Sequence, residues 1–180
     1  MVEGELASQR VDALLRPVQS DLAPMPGHAA ELLEAAGPAL REPCQQVGCL
    51  EVGEAVATAA GALPARFVIH AAAAAPGGRA DACSVRAAMR RSLELAASRG
   101  CRSLALPALG AGERGLALQH CAEILVEEAR RHLEARHAGE AASPLEEVRF
   151  VLSGEPAYRV FEMVHDAAKV AAQMERLRSR

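Results

Sequence analysis

Apolar runs alternate regularly along this chain with longer stretches of helical periodicity, and this order limits the folds that it can adopt. The runs that predict strands cover 11–18, 54–60, 65–74, 101–109 and 148–154. The stretches that predict helices, by apolar residues at helical spacing, cover 28–36, 81–98, 116–136 and 156–178. This alternation is typical of an α/β sandwich in which helices cover both faces of a largely parallel sheet. Ligands of such sheets bind at the carboxyl ends of strands, here the loops after Val18, Ala74, Leu109 and Ser153.

The composition indicates one folded domain with a core of small side chains. The 180 residues are 51% hydrophobic and 24% charged, so we expect a single domain over residues 1–180. Alanine accounts for 40 residues, whereas the aromatic residues are three Phe and one Tyr, without Trp. Few side chains are therefore able to stack on a base or a sugar. The net charge of −3 argues against general nucleic-acid binding, which needs a positive surface.

Cysteine usage and hydropathy predict a cytoplasmic protein. Neither a signal peptide nor a run of about 18 apolar residues is found, so no membrane contact is expected. The five cysteines form no C-x-x-C pair, which favours reduced thiols over disulfides. Cys44 and Cys49 stand close together in a stretch predicted to be irregular, and His120 adjoins Cys121, but zinc needs three or four convergent ligands. We therefore expect neither a metal nor a cofactor.

The segment 110–115 has the pattern that points most directly to chemistry. It reads G-A-G-E-R-G and fits G-x-G-x-x-G between a predicted strand and a predicted helix. In that arrangement, free backbone N–H groups and a helix N-terminus can receive a phosphate. The alternative is a glycine-rich turn that only reverses the chain. A dinucleotide-binding Rossmann domain is disfavoured, because its glycine loop follows the first strand and an acidic residue ends the next one, where this chain has Ser153.

Six segments occur in the order and at the spacing of a known family. They are G-E-L-A at 4–7, V-D-A-L-L at 11–15, A-A-G-P at 35–38, G-E-A-V-A-T at 53–58, L-P-A-R-F-V-I-H at 63–70 and L-P-A-L-G-A-G-E-R-G at 106–115. Together they resemble the macro domain family, whose members bind ADP-ribose and related nucleotides. The resemblance implies a three-layer α/β/α sandwich with a mixed, largely parallel sheet. It also implies that the ligand is ADP-ribose or a related phosphorylated nucleoside.

The same resemblance implies a set of ligand-binding positions. These are Glu5, Leu6, Gln19, Gly27, His28, Leu109, Gly110, Ala111, Gly112, Glu113, Arg114 and Ser153. Within this set, 110–115 corresponds to the family's phosphate loop, and Glu5 is the expected acceptor for an adenine amino group. Arg114 and Ser153 stand where the family often has aromatic residues against the distal ribose and the adenine.

This chain departs from the family where the family's chemistry is done. The N-A-A-N motif is replaced by R-P-V-Q at 16–19, so Gln19 stands in place of the Asn that orients the distal ribose. Ala29 occupies the position at which hydrolytic members carry an Asp, and alanine cannot act as a general base. The loop before it contains two prolines, which lack N–H donors. We therefore expect no catalytic residue and predict a pseudoenzyme that binds its ligand without hydrolysing it.

Two other functions remain compatible with the sequence. One is hydrolysis of an ADP-ribosyl ester or phosphate, with His28 or Glu113 as an unusual base. The other is a protein-interaction module whose pocket is filled by Met25, His28 or Arg114. Because only residues 1–3 are left for the family's first strand, the N-terminal sheet edge is expected to be exposed. Such an edge invites a protein partner or self-association.

Overall fold

The computed structural model describes residues 1–23, 28–137 and 143–178, which contain a six-stranded sheet. The strands are β1 (Val2–Glu3), β2 (Ala13–Gln19), β3 (Ala55–Ala59), β4 (Phe67–Ala74), β5 (Ser103–Leu106) and β6 (Glu147–Leu152). Their order across the sheet is β1-β6-β5-β2-β4-β3. Every neighbouring pair is parallel except β3 with β4. The sheet is therefore mixed and largely parallel, as predicted.

Helices cover both faces of this sheet. They are α1 (His28–Ala36), α2 (Pro38–Val47), α3 (Ala82–Ser98), α4 (Leu118–His137) and α5 (Glu155–Arg178), with a short 3-10 turn at Leu6–Ser8. One buried cluster joins α3, α4 and α5 to the sheet, and a second joins α1, α2 and the 3-10 turn to its other face. The predicted three-layer α/β/α sandwich is confirmed.

Alternating side chains of the central strands explain the two buried layers. In β2, Leu15 belongs to the cluster with Met89 of α3, whereas its neighbour Leu14 belongs to the cluster with Leu32 and Leu40. In β4, residues 71–74 are four buried alanines. Because alanine side chains are short, α3 lies close to the β4 backbone.

Helix α3 begins with a reciprocal capping arrangement. The Asp81 carboxylate accepts a hydrogen bond from the N–H of Ser84 at 2.8 Å, and the Ser84 hydroxyl oxygen accepts one from the N–H of Asp81 at 3.0 Å. The bond from the Ser84 N–H holds the pKa of Asp81 below its ordinary value. From this cap the helix presents a buried stripe to the sheet, formed by Val85, Ala88, Met89, Ser92, Leu93 and Ala96.

The stretch after α1 was predicted to be irregular, and this prediction is wrong for Pro38–Val47, which form α2. Leu40 is buried, and Cys44 and Val47 pack against buried clusters, so one apolar stripe recurs at spacings of four and three residues. Pro38 is tolerated because the first turn has no N–H partner to lose. Pro43 lies inside the helix and interrupts its hydrogen bonding, which weakens the helical pattern in the sequence.

One edge of the sheet is formed by β1, which is only two residues long. This strand pairs with β6 only through Val2 with Val151 and Glu3 with Leu152.

Within residues 1–23, 28–137 and 143–178, no helix is long and apolar enough to cross a membrane.

Candidate functional site

A cavity of about 1160 Å³ opens at the carboxyl ends of β2, β5 and β6. Small-molecule sites usually measure about 300–1,000 Å³, so this cavity can hold a ligand as large as a nucleotide. Its walls come from the ends of these strands, the glycine loop after β5, the start of α4 and the first turns of α1 and α5. The lining residues include Pro17, Gln19, Ala29, Glu31, Pro107, Gly110, Gly112, Glu113, Arg114, Leu118, Ser153 and Ala157.

Steric crowding explains why the loop that forms one wall is rich in glycine. Gly110 has a φ of 82°, and a β-carbon there would collide with Val85 of α3. At Gly115 a β-carbon would collide with the carbonyl oxygen of Gly110. Gly112, with a φ of 122°, has nothing within 4 Å of the place a β-carbon would occupy. Gly110 and Gly115 therefore fix the shape of the loop, whereas Gly112 leaves its backbone accessible to a ligand.

Backbone hydrogen bonds close the loop and leave the N–H groups of Gly110, Glu113 and Arg114 without an acceptor among the described residues. The N–H of Leu116 donates to the carbonyl of Gly110 at 2.8 Å, and the N–H of Gly115 donates to that of Gly112 at 3.0 Å. Among the described residues, the N–H groups of Glu113 and Arg114, at the centre of this turn, have no acceptor. Together with the nearby N-terminus of α4, two such donors create a partial positive charge that suits a phosphate group.

The structure brings together seven of the positions predicted to bind a ligand. These are Gln19, Gly110, Ala111, Gly112, Glu113, Arg114 and Ser153, all of which line the cavity. Glu113 and Arg114 are exposed at its rim, and Gln19 is half-buried at the end of β2. The wall that the sequence assigned to the phosphate loop is thus one continuous surface with the end of β2.

The other five predicted positions lie elsewhere or cannot be placed. Leu6 is buried in the cluster beneath α1, Leu109 is buried under the glycine loop, and Glu5 is exposed. Gly27 and Met25 lie outside the described residues, and so does the side chain of His28.

Two properties of the lining bear on its chemistry. Ala29 is buried in the wall and offers no titratable group, so among the described lining residues the carboxylates are those of Glu31 and Glu113. None of the described residues that line the cavity is aromatic. A bound base or sugar would therefore be held by hydrogen bonds and aliphatic contacts rather than by stacking. Glu31 and Ala157 were not singled out from the sequence, because only the fold brings α1 and α5 to the cavity.

A buried arginine beneath α1 was also missed at the sequence level. Arg16 is only 1% exposed, and its Nε donates a hydrogen bond to the carbonyl of Ala29 at 3.3 Å. Its Nη1 lies 3.1 Å from Nδ1 of His70 and 4.0 Å from Sγ of Cys44. The Nε2 atom of His70 lies 2.9 Å from the hydroxyl of Thr58. The signal in the sequence was a charged residue inside an otherwise apolar strand.

This network fixes the protonation of its members. Because Arg16 is a donor only, Nδ1 of His70 must accept, which leaves the proton of a neutral ring on Nε2, facing Thr58. Burial, reinforced by the charge of Arg16, lowers the pKa of His70 to about 3. Burial raises the pKa of the Cys44 thiol, although Arg16 acts in the opposite direction. Among the described residues, no carboxylate forms an ion pair with Arg16, so neutral acceptors alone hold the buried guanidinium.

The described residues contain no group of three or more His, Cys, Asp or Glu side chains that could hold a metal ion. Cys44 lies in the Arg16 network, whereas Cys49 is exposed after the end of α2.

Comparison with known proteins decides the family. The profile of the macro domain family matches residues 17–125, which run from the end of β2 through the glycine loop into α4. The chain belongs to the macro domain family. It is 33% identical over 171 residues to a macro domain-containing protein of Streptomyces griseus, covering 91% of this chain and 92% of the relative. It is also 33% identical over 167 residues to the O-acetyl-ADP-ribose deacetylase of Klebsiella pneumoniae, covering 89% and 92%.

Longer relatives and solved structures extend the comparison. An uncharacterized protein of Mycobacterium tuberculosis is 33% identical over 95% of this chain, yet the chain spans only 45% of that protein. The macro domain fold matches an Oceanobacillus iheyensis macrodomain with a TM-score of 0.80, at 20% identity over 94% of this chain and 90% of that one. A Trypanosoma brucei macrodomain in complex with ADP-ribose gives a TM-score of 0.74, at 27% identity over 86% and 63%.

We predict that acidification destabilises this macro domain through His70. The folded pKa near 3 lies below the ordinary 6.5, so stability is fully present above pH 6.5 and is lost as the pH falls toward 3. Between pH 7 and pH 5 this residue alone removes roughly 2 kcal/mol from the free energy of unfolding. Urea denaturation at both pH values measures the loss. Glutamine does not titrate, so in the His70→Gln variant the loss of stability between the two pH values should be smaller by roughly 2 kcal/mol. An equal loss in the variant and the wild type would contradict the assignment of this effect to His70.

Proposed function

We propose that this macro domain binds ADP-ribose, or a related phosphorylated nucleoside, and does not hydrolyse it. The observation that carries the proposal is the open cavity beside Gly112, where two unused N–H donors meet the N-terminus of α4. The Trypanosoma brucei relative described above was solved with ADP-ribose, which supports the same ligand class. An open cavity also favours binding over a pocket that has decayed into an interaction surface.

The arrangement of the cavity walls supports an extended ligand whose phosphates lie near its middle. The glycine loop occupies one side, Gln19 lies at the end of β2, and Ser153 lies at the end of β6. Hydroxyl and amide groups at the two ends suit the hydrogen-bonding groups of a sugar and a base.

We likewise propose that residues 1–180 act as one domain, since all six strands join one sheet. We also propose that the protein is cytoplasmic, in keeping with cysteines that form no C-x-x-C pair.

Isothermal titration with ADP-ribose tests the site through two matched glycine variants. Gly112→Val strains the backbone at its φ of 122° and fills the open space beside the loop, so it should weaken binding by at least about tenfold, because a misplaced ligand loses its phosphate contacts. Gly100→Val is the control, since Gly100 also has a positive φ of 67° and open space but precedes β5, away from the cavity. Absence of heat at millimolar ADP-ribose, or equal losses in both variants, would contradict the proposal.

The lack of aromatic lining generates a second prediction. Ser153→Phe adds a ring at the position where the family often stacks an aromatic on adenine. Base stacking contributes about 1–3 kcal/mol, so the dissociation constant should fall by roughly fivefold or more. Ser98→Phe places the same ring at an exposed site on α3 and should leave affinity unchanged. Equal affinities of the two variants would show that adenine does not lie beside Ser153.

Hydrolysis is the second candidate function, favoured by the name of the Klebsiella pneumoniae relative. Our proposal instead predicts no release of acetate from O-acetyl-ADP-ribose above the uncatalysed rate, because Ala29 supplies no base. Acetate release measured beside titration calorimetry separates binding from turnover. Turnover that falls in Glu113→Gln or His28→Ala, but not in the control Glu123→Gln on α4, would overturn the non-catalytic proposal in favour of hydrolysis.

A further inference from the structure

Arg16 is a buried charge that packing alone does not explain. It lies in the middle of β2, is only 1% exposed, and has no carboxylate among its side-chain contacts in the described ranges. Taking a cation out of water is costly, and an apolar side chain of similar volume often leaves a buried position at least as stable. Methionine would therefore fill this place as well, and the role of Arg16 must come from its hydrogen bonds.

The guanidinium of Arg16 links the sheet to the first turn of α1. On the side of the sheet, Nη1 lies 3.1 Å from Nδ1 of His70, which is the partner of Arg16 in the register of β2 with β4. The hydroxyl of Thr58 lies 2.9 Å from Nε2 of the same ring. On the side of the helix, Nε donates a hydrogen bond to the carbonyl of Ala29 at 3.3 Å. Because the guanidinium is planar and rigid, its contact with the sheet also sets the direction of this bond.

Helix α1 depends on its surroundings for its position. It has only nine residues, and a helix of this length is stabilised mainly by tertiary packing. Leu32 and Ala36 pack into the buried cluster beneath it, but apolar contacts have no preferred direction. The bond from Arg16 adds a directional contact at the first turn, which is the part of α1 that lines the cavity through Ala29 and Glu31.

The end of β2 lines the same cavity. Gln19 lies three residues after Arg16 on this strand and belongs to the cavity wall, and α1 packs against β2. Gln19 and the first turn of α1 thus face the ligand from adjoining elements. The function proposed above assigns this part of the cavity to the sugar that lies beyond the diphosphate.

We propose that Arg16 is a positioning residue, which holds the first turn of α1 against β2 and so sets the wall that receives this sugar. The role rests on the proposed function, because it requires a ligand whose phosphates lie at the glycine loop. Arg16 is buried and does not line the cavity, so it acts on the ligand only through α1. Loss of Arg16 should therefore weaken the binding of ADP-ribose, which carries the second sugar, and spare ADP, which ends at the diphosphate.

Isothermal titration of the full chain with ADP-ribose and with ADP tests this role. The quantity to compare is the sugar preference, defined as the dissociation constant for ADP divided by that for ADP-ribose. In Arg16→Met the sugar preference should fall by about fivefold or more, because a displaced wall costs the sugar at least one hydrogen bond. The dissociation constant for ADP should stay close to the wild-type value. A general loss of folded protein would instead weaken both ligands alike.

Glu128→Met is the matched control. Glu128 is also a buried charge, 3% exposed, but it pairs with Arg86 and Arg90 between α3 and α4 and does not line the cavity. Its loss should lower the melting temperature and leave the sugar preference at the wild-type value. Arg16→Lys is a second variant for the case in which Arg16→Met does not fold. Lysine keeps the charge but lacks the fork of the guanidinium, so it should lose part of the sugar preference.

The possible outcomes separate this role from the function on which it rests. A wild type that binds neither ligand would contradict the proposed function and, with it, the role of Arg16. If the wild type prefers ADP-ribose, an unchanged sugar preference in Arg16→Met, or in Arg16→Lys where methionine prevents folding, would overturn the role of Arg16 alone. A wild type that binds both ligands equally, or an equal loss of sugar preference in Glu128→Met, would overturn it as well.

Discussion

The close approach of the glycine loop to helix α3 is the constraint on which the rest of the site depends. Gly110 lies so near Val85 that even a methyl group would collide, and Gly115 lies equally near the carbonyl of Gly110. Because residues 71–74 of β4 are alanines, α3 lies close to the sheet. The glycine loop must therefore turn in a narrow space beside α3. The turn that results leaves the N–H groups of Glu113 and Arg114 unused beside Gly112, an arrangement that suits a phosphate group.

The wall opposite the glycine loop depends on a buried charge. Arg16 donates a hydrogen bond to the carbonyl of Ala29, and within the described ranges its other side-chain contacts are to His70 and Cys44, with no carboxylate among them. Burying a cation away from a carboxylate costs free energy, and each hydrogen bond that Arg16 donates offsets part of this cost. The resemblance to the macro domain family would place an Asn at this position. The change to Arg16 therefore replaces a neutral side chain under the site with a charged one, while Ala29 removes the carboxylate above it.

Much of the fold could be predicted from the sequence, because apolar periodicity reports packing directly. The alanine run of β4 and the apolar stripe of α3 are two examples, and both lie where the sequence pattern predicts them. Helix α2 was missed because Pro43 and a narrow apolar stripe obscure its period. The glycine loop was found from its spacing, whereas the roles of Arg16 and Glu31 depend on contacts between distant segments. Leu6 is buried in a 3-10 turn, and its contact with a ligand stays a prediction.

A crystal of the protein soaked with ADP-ribose would show whether the ligand binds at the glycine loop. We expect electron density for the diphosphate within hydrogen-bond distance, about 2.7–3.2 Å, of the N–H groups of Glu113 and Arg114. The sugar and the base should then extend toward Gln19 and Ser153, at the ends of β2 and β6. An empty cavity at millimolar ligand, or ADP-ribose bound away from Gly112, would show that the glycine loop is not the phosphate site.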